Sequence, residues 1–104
     1  GKFYILDWKS NQLGQRYADY TPERLEQVMR SHFYDLQYLI YSVALDQFLR
    51  SRLPDYSYET HFGGVFYLFV RGVDPGFAGN GIYFDLPSEN LIRSLSKMLA
   101  EQDV

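Results

Sequence analysis

Asp7 and Lys9 stand two residues apart at the end of the apolar run Phe3-Tyr4-Ile5-Leu6. Side chains alternate along a strand, so both would emerge on one face, with Trp8 on the other. A carboxylate and an ammonium side by side can hold a divalent cation next to a positive charge. That arrangement suits phosphodiester hydrolysis: the metal polarises the phosphoryl oxygen and acidifies a water, and the lysine places the water or offsets developing charge. The competing reading is a strand that simply ends in solvated charges, because a three-residue pattern is not specific. Gln37 and Tyr41, four apart on a helical stretch, share one side of it and form a second polar pair on an apolar face. Once buried they need partners, either backbone groups at a helix–sheet seam or the Asp7/Lys9 strand end.

These residues need elements to carry them. Phe3 to Asp7 reads as a strand, apolar on both faces and so interior to a sheet. Ser10 to Tyr20 is polar and aperiodic, a loop. Thr21-Pro22-Glu23 starts a helix, with Thr as N-cap and Pro at the first helical position; Leu25, Val28, Met29 and His32 follow helical spacing. His32 reads as the edge of that stripe rather than a ligand. A second helix runs from about Tyr34 to Arg50, with Leu36, Gln37, Ile40, Tyr41, Ala44, Leu45 and Phe48 as a wide inward face. Arg50 and Arg52 belong to its C-terminus and dipole, with a phosphate backbone as the second choice.

His61-Phe62-Gly63-Gly64 leads into Val65 to Val70, the most apolar run and a central strand, and His61 before it reads as structural. Arg71 to Gly81 holds Gly72, Pro75, Gly76, Gly79 and Gly81 and matches neither a P-loop nor a dinucleotide fingerprint. It connects to a last strand, Ile82 to Phe84, expected antiparallel to its predecessor. Pro87-Ser88-Glu89 opens a final helix with the stripe Leu91, Ile92, Leu95, Met98, Leu99, and the polar tail from Glu101 is expected to fray.

At 104 residues the chain is one domain's worth, and 18% aromatic content argues for a packed core rather than disorder. The absence of cysteine removes disulfides and thiolate metal sites and fits a reducing, cytoplasmic setting. No apolar run approaches the roughly 20 residues that cross a bilayer. A formal charge of −3 makes any nucleic-acid contact local, or supplied by a metal or by other protein.

The order strand, two helices, two strands, helix, together with particular stretches, resembles the C-terminal nuclease domain of the exodeoxyribonuclease V beta subunits, the RecB family. The stretches are Tyr4 to Asn11, with its Asp-Trp-Lys-Ser-Asn core, and Tyr34 to Tyr41. Also matching are His61 to Leu68 followed by Arg71-Gly72-Val73-Asp74, and Gly81-Ile82-Tyr83. Asp-x-Lys alone is weak, but with the downstream Gln-x-x-x-Tyr and Gly-Gly-Val-x-Tyr-Leu it is specific.

The resemblance implies an α/β fold, a partial restriction-endonuclease-like one. It would have a small mixed sheet of about three strands flanked by about three helices, and would cleave DNA with Mg²⁺. Asp7 would be a Mg²⁺ ligand, with the Trp8 main-chain carbonyl a second. Lys9 would orient or deprotonate the attacking water, and Gln37 and Tyr41 would support the lysine and substrate. The partners implied are DNA and the gamma and alpha subunits of the parent complex, which processes double-strand breaks for recombination. The family's site also takes an Asp from the strand before Asp-x-Lys and a His from an earlier helix; neither precedes Asp7, and His32 and His61 lie on the wrong side of the motif. Residues 1–104 are therefore expected to be one domain, the C-terminal part of a longer nuclease domain without its N-terminal strand and helices. On that expectation the fragment binds Mg²⁺ weakly, cuts DNA barely or not at all, and self-associates through its exposed strand. The rival reading is a non-catalytic module docking on partner subunits or DNA; another nuclease of the same superfamily is a third, against which the Gly-Gly-Val match argues.

Overall fold

Thr21 leaves the preceding turn in an extended conformation and its hydroxyl accepts the Arg24 N–H, while Pro22 occupies the first helical position. Helix α1 (Pro22–Ser31) follows and buries Leu25, Val28 and Met29. Only His32 and Phe33 separate it from α2 (Tyr34–Arg52), and Phe33 makes the bend with a left-handed backbone, φ 58°. A short helix, α3 (Tyr58–His61), is capped by Ser57 and runs directly into a strand. The computed structural model describes residues 1–77 and 79–101. The tail after Glu101, expected to fray, lies outside the described residues.

The three described strands are β1 (Phe3–Lys9), β2 (Phe62–Phe69) and β3 (Ile82–Asp85), in the order β1-β2-β3. β1 runs parallel to β2, and β2 antiparallel to β3, so the sheet is mixed with β2 central. Together with four α-helices, the last being α4 (Glu89–Glu101), this makes a mixed α/β fold. The helix beyond the three expected is α3, whose single turn carries no apolar periodicity to announce it. The sequence also placed the start of β2 three residues late. The β1/β2 register slips between Phe3 and Tyr4, leaving Gly63 unpaired. A Cβ at Gly63 would come 2.5 Å from the Tyr4 ring, which is why the strand can run through a Gly-Gly pair.

β1 is not interior: among the described strands it is an edge. Its inward side chains Ile5, Asp7 and Lys9 are half-buried, whereas Tyr4, Leu6 and Trp8 are exposed on the opposite face. The core lies on the helical side, where Leu25, Val28, Met29 and Tyr38 pack on Val65, Tyr67 and Phe69. A second cluster joins Val43, Tyr58, Phe62 and Ile92, with Ile5 and Leu39 touching both.

The inward face expected for α2 is corrected by the structure. Leu36, Ile40, Tyr41 and Phe48 are exposed, and the buried positions are Tyr38, Ser42, Val43, Asp46 and Leu49. Apolar residues occur nearly all round this helix, so the apolar pattern alone did not single out a side. The side taken is the one whose polar groups find partners. Tyr38 donates to Asp85 (2.6 Å), Ser42 to the Tyr38 carbonyl (2.7 Å), and Asp46 accepts from Tyr56 (2.5 Å) and pairs with Arg93. On α4 only Ile92 of the expected stripe is fully buried, Leu95 is partly so, and Leu91, Met98 and Leu99 remain exposed. His32, likewise, is exposed at the α1 C-cap.

Candidate active site

Pairing of β1 with β2 sets Asp7 opposite Tyr67 and Lys9 opposite Phe69, with both charged side chains on the helical face. Lys9 Nζ lies 3.3 Å from Asp7 Oδ1, and the two side chains are only 17% and 22% exposed. From α2, Gln37 brings its Oε1 to 3.4 Å from Nζ. The ammonium also sits over the Tyr34 ring at 4.3 Å from its centroid and at 5.3 Å from that of Tyr67. A single cation thus has a carboxylate, an amide oxygen and two aromatic faces around it, each favourable to positive charge.

The Tyr67 hydroxyl donates to the same Gln37 Oε1 at 2.5 Å. Burial pushes its pKa far above the usual tyrosine range, and the nearby Asp7 charge pushes it further. It therefore remains a donor at neutral pH. Two donors converge on one amide oxygen, so the oxygen, not the NH₂, must face the strand. Tyr34 is held in turn by Asn11, whose Nδ2 donates to its hydroxyl at 3.0 Å. The strand end, the segment after it and α2 thereby form one hydrogen-bonded unit around Lys9.

Of the residues singled out from sequence, the structure brings Asp7, Lys9 and Gln37 together. Tyr41 is one turn further along α2 and half-exposed, with no hydrogen bond to Asp7 or Lys9 among the described contacts. The Trp8 indole points to the opposite face and is 63% exposed. Tyr34, Tyr67 and Asn11 were not anticipated as site residues. The available signal was the hydroxyl on the otherwise apolar inward row Val65, Tyr67, Phe69, which needs a partner when buried.

Neither histidine joins the site. His32 stacks on the Tyr34 ring at 5.3 Å and contacts the Val28 carbonyl, and His61 accepts from the Ser57 N–H beside Tyr56. Mg²⁺ asks for near-octahedral oxygen coordination. Among the described residues no group of three or more His, Cys, Asp or Glu could hold a metal. One carboxylate, already facing an ammonium, and a main-chain carbonyl do not on their own fit such an ion. What the arrangement supplies by itself is a positioned cation beside an acid, able to hold a water or an anionic oxygen.

No protein-family model matches the chain. It is 48% identical over 100 residues to the RecBCD enzyme subunit RecB of Escherichia coli (strain K12), covering 96% of this chain and 8% of that protein. It is 50% identical over 95 residues to RecB of Haemophilus influenzae, covering 91% of this chain and 8% of the relative. To RecB of Mycobacterium tuberculosis (strain H37Rv) it is 42% identical over 104 residues, covering 94% of this chain and 10% of the relative. The chain thus spans about a tenth or less of the length of the curated relatives it matches. No helix among the described residues is long and apolar enough to cross a membrane.

Proposed function

We propose that this chain, a homologue of a segment of the RecB subunits, is part of the DNA-cleaving domain of a cytoplasmic RecBCD-type enzyme that processes double-strand ends. The observation that carries this reading is the convergence of Asp7, Lys9 and Gln37, at 3.3 and 3.4 Å, on the stretch that the resemblance singles out. Lys9 holds the attacking water or the anionic phosphoryl oxygen. Gln37 and the two tyrosine rings fix the ammonium where that charge develops. Asp7, with the Trp8 carbonyl beside it, would supply part of a Mg²⁺ shell in the whole domain, an ion these two groups do not hold by themselves. Any further ligands of such a shell would have to be supplied by other residues of the whole protein. DNA is the substrate, and the alpha and gamma subunits are the partners of the whole protein.

Substituting Lys9 in the full-length protein tests this. Lys9→Ala and Asp7→Ala should each abolish metal-dependent degradation of linear DNA while unwinding persists. Unchanged cleavage would instead favour the non-catalytic docking module. The isolated 104 residues should cut linear DNA barely or not at all, with or without Mg²⁺. Robust metal-dependent cutting by them, lost in Asp7→Ala, would show that the shell is complete without outside ligands.

A further inference from the structure

Beyond the carboxyl ends of the parallel strands β1 and β2 lies an open cavity of about 470 Å³, walled by Gln12, Gln15, Arg16, Tyr17 and Arg71. Such crevices at strand carboxyl ends are where open α/β sheets receive ligands. Arg71 follows β2, and its Nε donates to the Ser10 carbonyl at 2.8 Å. That bond anchors the side chain one residue from Lys9 and leaves its terminal N–H groups without a hydrogen-bond partner among the described residues. Neither Arg16 nor Arg71 has an ion-pair partner among the described residues. Asp19, the acid of the same turn as Arg16, is occupied in accepting the Arg16 backbone N–H.

The geometry points to this cavity as a subsite for the phosphate oxygens of a nucleic-acid strand, next to the phosphate that Lys9 would face. Two guanidinium forks, two amides and a phenol supply donors of the kind phosphate takes. The chain carries a formal charge of −3, so attraction of a polyanion must be concentrated at such a place. The cavity is open to solvent and is tied to the strand end by the Arg71–Ser10 bond, which suits a passing backbone better than an enclosed small molecule. The choice of ligand rests on the nuclease reading above.

The test is equilibrium binding of single-stranded DNA to the full-length protein, without divalent metal so that nothing is cut, over a series of salt concentrations. Each phosphate contact contributes roughly 0.7 to the slope of log affinity against log salt on single strands. The double variant Arg16→Ala/Arg71→Ala should bind about tenfold more weakly with a slope shallower by about 1.4. Arg16→Ala alone, whose guanidinium makes no hydrogen bond among the described residues, should lose about half of that slope. Arg24→Ala/Arg30→Ala, on the exposed side of α1, is the charge-matched control and should leave the slope unchanged. A double variant with the unaltered slope, or a control that loses as much, overturns the subsite. Retention of cleavage by Lys9→Ala, measured separately with metal, would sink the nuclease reading, while the slope would still decide the cavity.

Discussion

Gln37 accepts on one oxygen from both Tyr67 and Lys9, so the strand β2 reaches the β1 ammonium through an amide on α2. Removing the Tyr67 hydroxyl frees that amide to turn, and the ammonium loses its fixed acceptor without any change in packing volume. In the full-length protein, Tyr67→Phe should therefore lower kcat for DNA cleavage about tenfold, the worth of one hydrogen bond, with KM little changed. Gln37→Ala should cost a similar factor, and the double variant no more than Gln37→Ala alone. Additive losses in that cycle would show that Tyr67 acts through the core and not through the amide. Strand parity and helical spacing are local rules, and they put Asp7 with Lys9 and Gln37 with Tyr41 on common faces; that the two pairs would meet came from the resemblance, and of the second pair only Gln37 bonds Lys9. Tyr34 and Tyr67 were not legible as site residues, since an aromatic in an apolar run reads as core. Only the β1/β2 register, a long-range fact, shows that Tyr67 stands opposite Asp7.

At the level of elements, α2 and α4 are tied by a buried acid. Asp46 is 1% exposed and takes Tyr56 on one oxygen and Arg93 on the other, with Arg50 at 3.6 Å. Burial opposes the Arg93 charge, but the Asp46 hydrogen bond and charge more than compensate, and its pKa lies above the ordinary arginine value. Asp46→Ala should destabilise by about 3 kcal/mol, because it strands a partly buried guanidinium and a phenol. Arg50→Ala should cost under about 1 kcal/mol, its side chain being mostly in water. Urea midpoints of the two variants check the contrast, and similar midpoints would mean the pair is solvated. Gly81 plays a comparable part for the β2–β3 connection: its φ is +76°, and a Cβ would come 2.7 Å from the Gly72 backbone. Gly81→Ala should cost at least about 1–3 kcal/mol by the same assay. The strands, the order of helices and the antiparallel β2–β3 pair followed from local patterns of apolar and turn residues. The buried side of α2 did not. There Tyr38 and Asp46 win over Leu36, Ile40 and Phe48 because their partners on β3, α4 and the Tyr56 segment exist only once the chain has folded.

Across the whole molecule, the two faces of the sheet are treated differently. The helical face holds buried tyrosines: Tyr38, Tyr58 and Tyr67 all have pKa values raised first by burial, that of Tyr58 to about 12. An unfolded tyrosine ionises near 10, so above that pH the unfolded chain binds fewer protons than the folded one and stability falls as pH rises. Each of these groups removes up to about 1.4 kcal/mol per pH unit between its unfolded and folded values. The tyrosinate absorbance of these buried phenols should then appear in a steep step with unfolding above pH 10; their gradual ionisation in a chain that stays folded would refute this. The other face is uncovered among the described residues. Leu6, Phe66 and Phe84 form one row across the three strands and Trp8, Leu68 and Ile82 the next, with Phe66 and Phe84 rings 4.8 Å apart. Covering one large apolar side chain is worth about 1.5–3 kcal/mol, and β1 beside them offers an unpaired edge. The 104-residue chain by itself should accordingly associate with a second copy. Its sedimentation coefficient should rise with concentration, and Leu6→Lys/Trp8→Lys should hold it monomeric. Both side chains lie on the solvent side of β1, so the substitutions leave the helical core untouched, and a wild-type chain that stays monomeric at high concentration would rule the pairing out.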